Sequence, residues 1–87
     1  MLVNSDECQA AGVDEKDVAR IARGIERYVK DAKKIDLKIF GGSNLSLRFE
    51  DGKGIGALVV ADIDCTNVDG GCGACGTNED GLLRGEF

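Results

Sequence analysis

Cysteine is the residue type in this chain whose number and spacing most clearly suggest chemistry. The 87-residue sequence has four cysteines and no histidine. Three of the cysteines, Cys65, Cys72 and Cys75, lie in one glycine-rich segment near the C-terminus. Two thiolates separated by two residues, as in Cys72 and Cys75, can hold one metal ion or cycle as a redox dithiol. The cluster therefore predicts a Cys-ligated Zn²⁺ site or a redox site, with Cys8 as a distant fourth ligand.

The segment Cys72-Gly-Ala-Cys75-Gly76 resembles one metal-binding knuckle of the rubredoxins and zinc ribbons. The resemblance covers only this segment, and those families carry a second CxxC pair that this chain lacks. A closed four-thiolate zinc site would need all four cysteines. A thioredoxin-like dithiol would need a helix after its first thiol, and Gly73 and Gly76 argue against one. Free thiols in a loop are the remaining interpretation, so we expect no cofactor, with Zn²⁺ as the alternative.

Other chemical motifs are incomplete. The stretch Asp62-Ile-Asp64 resembles the opening of a calcium loop, but Asn67 and Gly73 stand where that loop needs Gly and Glu. Histidine-dependent triads are excluded because the chain has no histidine, which is the commonest general base. No serine has an evident activating base, so we expect a non-enzymatic protein.

Composition narrows the partner class and the location. A formal net charge of −5 argues against general binding of nucleic acid. Eight of the eleven Lys and Arg residues lie between Lys16 and Lys38, which leaves room for a local basic strip. The start of the chain lacks the pattern of a secretory signal, and no apolar run is long enough to span a membrane. We therefore expect a cytoplasmic protein with reduced thiols and no membrane partner.

Residues 14–34 carry the strongest structural signal, that of an amphipathic helix. Apolar side chains recur with helical spacing from Val18 to Ala32. Asp14 is placed to cap the helix, acidic residues follow in its first turn, and lysines occupy its last turn. Gly24, inside the helix, suggests a close approach of the backbone to a sheet.

The period then changes to the alternation of β-strands, over residues 37–40, 45–49 and 55–63. Short turns at 41–44 and 51–54 imply antiparallel pairing. The predicted fold is α+β: one N-terminal amphipathic helix packed on a three-stranded antiparallel β-meander, with a Gly/Cys-rich C-terminal loop or tail. Within a single domain, residues 1–12 are predicted as an irregular arm, 13–64 as the α-β-β-β core and 65–87 as the loop and tail.

The outer face of this sheet gives the clearest functional hint. One helix covers one side of a sheet, and the other side is predicted to present Phe40, Arg48, Leu58 and Val60. Large exposed apolar groups on a small protein mark interaction sites. The tail, through Leu82, Leu83 and Phe87, could cover this face, or a second copy or another protein could. We therefore predict a small acidic interaction module of adaptor or inhibitor type, with a protein partner or a homodimer.

Overall fold

A computed structural model describes residues 1–42, 44–70 and 73–85 of the chain. Three positions named above, Ser43 in a predicted turn, Cys72 in the cysteine cluster and Phe87 in the tail, lie outside the described residues. The architecture is α+β, as predicted. The elements in chain order are α1 (Ser5–Ala11), α2 (Glu15–Lys34), β1 (Lys38–Gly41), β2 (Leu45–Phe49), β3 (Leu58–Ile63), β4 (Cys75–Thr77) and β5 (Leu83–Gly85).

The chain forms two compact units. One comprises Met1–Arg27 with Gly71–Phe87, and the other comprises Tyr28–Gly70. Helix α2 contributes residues to both units. The three-stranded sheet lies within Tyr28–Gly70, and the strands β4 and β5 lie within the first unit.

Helix α1 replaces the irregular arm predicted for residues 1–12. It ends at Gly12, whose φ of 73° is left-handed. The N–H of Gly12 donates to the Gln9 carbonyl (3.2 Å) and the N–H of Val13 donates to the Cys8 carbonyl (3.1 Å), the paired bonds of a Schellman motif. This helix is only 7 residues long. Such a short segment has too few turns to show apolar periodicity, which explains why the sequence pattern did not indicate it.

Helix α2 agrees closely with the predicted amphipathic helix. The Asp14 carboxylate accepts a hydrogen bond from the Lys16 N–H at 2.8 Å, and the Asp14 carbonyl accepts from the Val18 N–H at 3.1 Å. These contacts confirm Asp14 as the N-cap. The helix ends in a second Schellman motif, in which Asp36 adopts a left-handed φ of 59°.

Strands β1, β2 and β3 form the predicted antiparallel meander in that order. Strand β1 pairs with β2 in regular register, from Lys38 opposite Arg48 to Gly41 opposite Leu45. The register of β2 with β3 shifts between Leu47 and Arg48. The predicted third strand begins at residue 55, whereas β3 begins at Leu58. Positive φ angles at Gly52, Gly54 and Gly56 extend the turn beyond residue 54.

The C-terminal segment contains a β-hairpin where the sequence predicts a loop or tail. Strands β4 and β5 pair from Cys75 opposite Gly85 to Thr77 opposite Leu83. Gly81 follows the turn with a φ of 78°, and its N–H donates to the Asn78 carbonyl at 2.9 Å. Arg84 donates a short hydrogen bond to Asp80, and this bond lowers the pKa of the Asp80 carboxyl below its ordinary value.

Few of the described residues are buried. Cys8 and Ala32 are each 9% exposed, and Ser46 is 5% exposed. Along α2 the large apolar side chains of Ile21, Ile25, Tyr28 and Val29 stay exposed, with Ile25 at 62%. No described atom outside the backbone of α2 lies within 4 Å of the position that a Cβ would take at Gly24. Over the same described ranges, no helix has the length and apolar character needed to cross a membrane.

Candidate functional site

Strand pairing gathers most of the predicted contact residues on one side of the sheet, which we call the Phe40 face. Residues directly opposite each other in paired strands project to the same side of a sheet, and successive residues alternate. The register therefore brings together the members of this face: Lys38, Phe40, Ser46, Arg48, Val59, Val60 and Asp62.

Arg48 is the centre of this face. Its guanidinium carbon lies 3.9 Å from the centroid of the Phe40 ring, which is cation–π geometry. Its Nε donates to the Ser46 hydroxyl oxygen at 3.1 Å, and Ser46 has the lowest exposure of the three buried residues described above. One edge of the Phe40 ring lies against Gly42, where a Cβ would stand 3.1 Å from Cε1. Arg48 and Phe40 are therefore held in a defined orientation.

The electrostatics of the Phe40 face are unbalanced at one point. Lys38 lies directly opposite Arg48 in the β1–β2 register, so two cations share a cross-strand pair. Like charges at such positions destabilise a sheet. Among the described residues, no carboxylate forms an ion pair with either cation. The pair of Lys38 and Arg48 can therefore bind a negatively charged group that is not among the described residues.

The register shift moves one predicted contact residue to the opposite side. Arg48 lies opposite Val59 and Leu47 lies opposite Ala61, so Val60 is an additional residue in β3, a β-bulge. After the bulge, Leu58 lies opposite Phe49 and not on the side of Arg48. Val59, which strict alternation places on the opposite side, takes its place on the Phe40 face. Strict alternation contains no signal for such a bulge.

Neither side of the sheet is sealed over β3, because Leu58, Val59 and Val60 are each 51% exposed. At the other end of the sheet, the segment after β3 returns to β1. A Cβ at Gly41 would lie 3.3 Å from Cγ1 of Val68, and one at Gly70 would lie 2.8 Å from the Gly41 carbonyl oxygen. This segment therefore covers the Gly41 end only.

A concavity of about 410 Å³ lies where α2 leads into β1. Its apolar part comes from Leu37 and Phe49. Charged residues of both signs surround it, and the full lining is Lys33, Asp36, Leu37, Lys38, Phe49 and Glu50. Lys38 belongs both to this concavity and to the Phe40 face. Because the lining mixes both charge signs with apolar groups, it does not indicate one class of small ligand.

The cysteines occupy different settings in the described chain. Cys8 is buried in α1, Cys65 is half-buried after β3, and Cys75 is exposed at the start of β4. None of these three forms a disulfide. Over residues 1–42, 44–70 and 73–85, no three His, Cys, Asp or Glu side chains gather as a metal site would require. Because Cys72 lies outside those ranges, zinc binding by Cys65, Cys72 and Cys75 stays a prediction, which native mass spectrometry with and without chelator would test.

Comparisons with known proteins give no relative: no family model, no curated protein and no solved structure matches this chain. We therefore infer function from the geometry of the Phe40 face.

Proposed function

We propose that the protein is a non-enzymatic interaction module that binds another protein through the Phe40 face. The carrying observation is the cross-strand pair of Lys38 and Arg48, which has no carboxylate partner among the described residues and borders exposed apolar side chains. A partner with carboxylates beside an apolar patch would relieve the charge repulsion and cover the exposed area. The expected partner is therefore an acidic, apolar segment of protein.

The residue types support a protein partner. Aromatic residues and arginine are enriched where interfaces gain most of their binding energy. Phe40 is 48% exposed, so its ring is available for contact although Arg48 stacks on it. Val59 and Val60 add stiff, β-branched side chains beside this pair. The hydrogen bond from Arg48 to Ser46 fixes the guanidinium before binding, which lowers the entropy cost of association.

Selection of displayed random peptides on the wild-type protein would test this proposal. We expect enriched peptides to combine Asp or Glu with large apolar residues. In NMR titrations, the amides that shift should lie on β1, β2 and the bulge of β3. Enriched peptides without carboxylates, or shifts confined to other elements, would contradict the proposal.

Charge reversal supplies the decisive variant. Arg48→Glu should weaken binding of an enriched peptide by at least about tenfold, since it places a carboxylate where the peptide supplies one. The fold should survive, because the introduced carboxylate would face Lys38 as an opposite-charge pair. Lys53→Glu makes the same charge change in the exposed turn before β3 and should bind as the wild type does. Equal affinity of the wild type and Arg48→Glu would rule out this face.

A further inference from the structure

Strand β1 is an edge strand of the three-stranded sheet. Among the described residues it pairs only with β2, and all four of its residues are exposed. In a paired strand, the N–H and C=O groups of alternate residues point away from the neighbour. The outer edge of β1 therefore presents backbone hydrogen-bonding groups that have no partner in the part of the chain that the structure describes.

The two ends of this edge differ in what lies beside them. At one end the segment that follows β3 lies close, because a Cβ at Gly70 would stand 2.8 Å from the Gly41 carbonyl oxygen. At the other end the N–H of Leu37 is already used by the end of α2, since it donates to the Ala32 carbonyl at 2.9 Å. The open part of the edge is therefore residues 38–40, beside the concavity of about 410 Å³.

The opposite edge of the sheet, that of β3, is less suited to an added strand. Its bulge at Val60 leaves one residue without a place in the register with β2, and the strand bends there. Strand β1 keeps a regular register along its whole length. An added strand would thus meet an even series of backbone groups on β1 and an uneven series on β3.

The two sides of β1 differ in chemistry, so alternate residues of an added strand would meet different surroundings. On one side lie Lys38 and Arg48 of the Phe40 face, and these cations favour carboxylates. Phe49 follows Arg48 in β2 and projects to the other side, where it lines the concavity with Leu37. The two cations and two carboxylates of that lining balance, so a neutral, apolar side chain suits it best.

We propose that the partner binds as an extended segment that adds a strand to the β1 edge, with carboxylates and apolar side chains alternating along it. This inference rests on the proposed function and specifies how the same partner is held. Main-chain hydrogen bonds to β1 supply affinity, and the alternating side chains supply specificity. A second copy of β1 fits less well, because it would bring a second Lys38 to a basic edge.

The order of residues in a short peptide tests the alternation. One synthetic peptide of six residues alternates Glu with Leu, and its control has three Glu followed by three Leu, both with blocked ends. Isothermal titration calorimetry with the wild-type protein should show at least about tenfold tighter binding of the alternating peptide. Equal affinity for the two peptides, or no binding of the alternating one, would overturn the proposal.

Hydrogen exchange would locate the added strand on the protein. At saturation, the alternating peptide should slow the exchange of at least one amide among residues 38–40 by about tenfold or more, because a peptide carbonyl then accepts from that N–H. The amides of β3 that point away from β2 are the internal control and should keep their rates. Unchanged exchange throughout residues 38–40 would rule out strand addition at β1.

Arg48→Glu separates this inference from the function on which it rests. If both peptides bind the wild type equally and both lose affinity in Arg48→Glu, the Phe40 face binds its partner without strand addition, and only this inference fails. If the alternating peptide binds the wild type and Arg48→Glu equally, the Phe40 face is excluded and the inference fails with it. A preference for the alternating peptide, weakened by Arg48→Glu and joined by slowed exchange in β1, would support both.

Discussion

Two glycines differ in their surroundings, and this difference predicts opposite effects of the same substitution. Gly24 lies inside α2 with open space where a Cβ would stand, so Gly24→Ala should raise the free energy of unfolding by about 0.5–1 kcal/mol. At Gly70 a Cβ would stand 2.8 Å from the Gly41 carbonyl oxygen. Gly70→Ala should therefore lower the free energy of unfolding by about 1–3 kcal/mol. Urea denaturation followed by circular dichroism would measure both. A loss of stability in Gly24→Ala would show that the helix packs closely at that position.

Single residues also show what the sequence could supply. Asp14 was predictable as a helix cap because the side chain and the following acidic turn have a local physical meaning, and the hydrogen bond from the Lys16 N–H agrees. The hydrogen bond of Arg48 to Ser46 joins near neighbours but depends on both lying on the same side of β2. The role of Arg48 in the Phe40 face depends on its neighbours Lys38 and Val59, and only the strand register brings these residues close.

At the scale of elements, the β4–β5 hairpin should respond to acid through Asp80. The hydrogen bond from Arg84 lowers the pKa of this carboxyl from its ordinary value of 3.8, with a further contribution from the Leu82 N–H. A lowered pKa in the folded state gives stabilisation that is present above pH 3.8 and is lost as the pH falls through the lowered value. Because the Asp80 and Arg84 side chains are both exposed, protonation of Asp80 should loosen the hairpin locally and should not unfold the chain.

Carboxyl NMR titration would measure this pKa directly. Arg84→Gln should move the pKa of Asp80 upward toward 3.8, since it removes the charged donor. Lys53→Gln removes a cation outside the hairpin and should leave the pKa of Asp80 where it is. An Asp80 pKa that does not change in Arg84→Gln would show that backbone N–H groups, chiefly that of Leu82, stabilise the carboxylate without Arg84.

Elements with a long or regular pattern were predictable, and short or irregular ones were not. Helix α2 and the three-stranded meander follow directly from apolar periods of 3.6 and 2. Helix α1 is too short to show a period, and β4 and β5 have only 3 residues each. The bulge in β3 moved Leu58 away from the candidate site, because one additional residue reverses the alternation beyond it.

For the whole molecule, burial of so few of the described side chains predicts a low free energy of unfolding, because little apolar surface leaves water on folding. Urea denaturation followed by circular dichroism should give a free energy of unfolding at or below about 5 kcal/mol, the lower end of the usual range for small domains. A value well above that would show that the chain is more stable than its exposed side chains indicate.

The bulge in β3 has a further consequence at the boundary of the sheet. Strand β3 pairs only with β2 among the described residues, and five of the six residues in its sequence LVVADI are apolar, three of them β-branched. Such segments, when flat and uncovered, are templates for cross-β fibrils. An extra residue at Val60 twists the strand and interrupts the even ladder of hydrogen bonds that a fibril needs. Strand β3 thus contains its own obstacle to fibril growth.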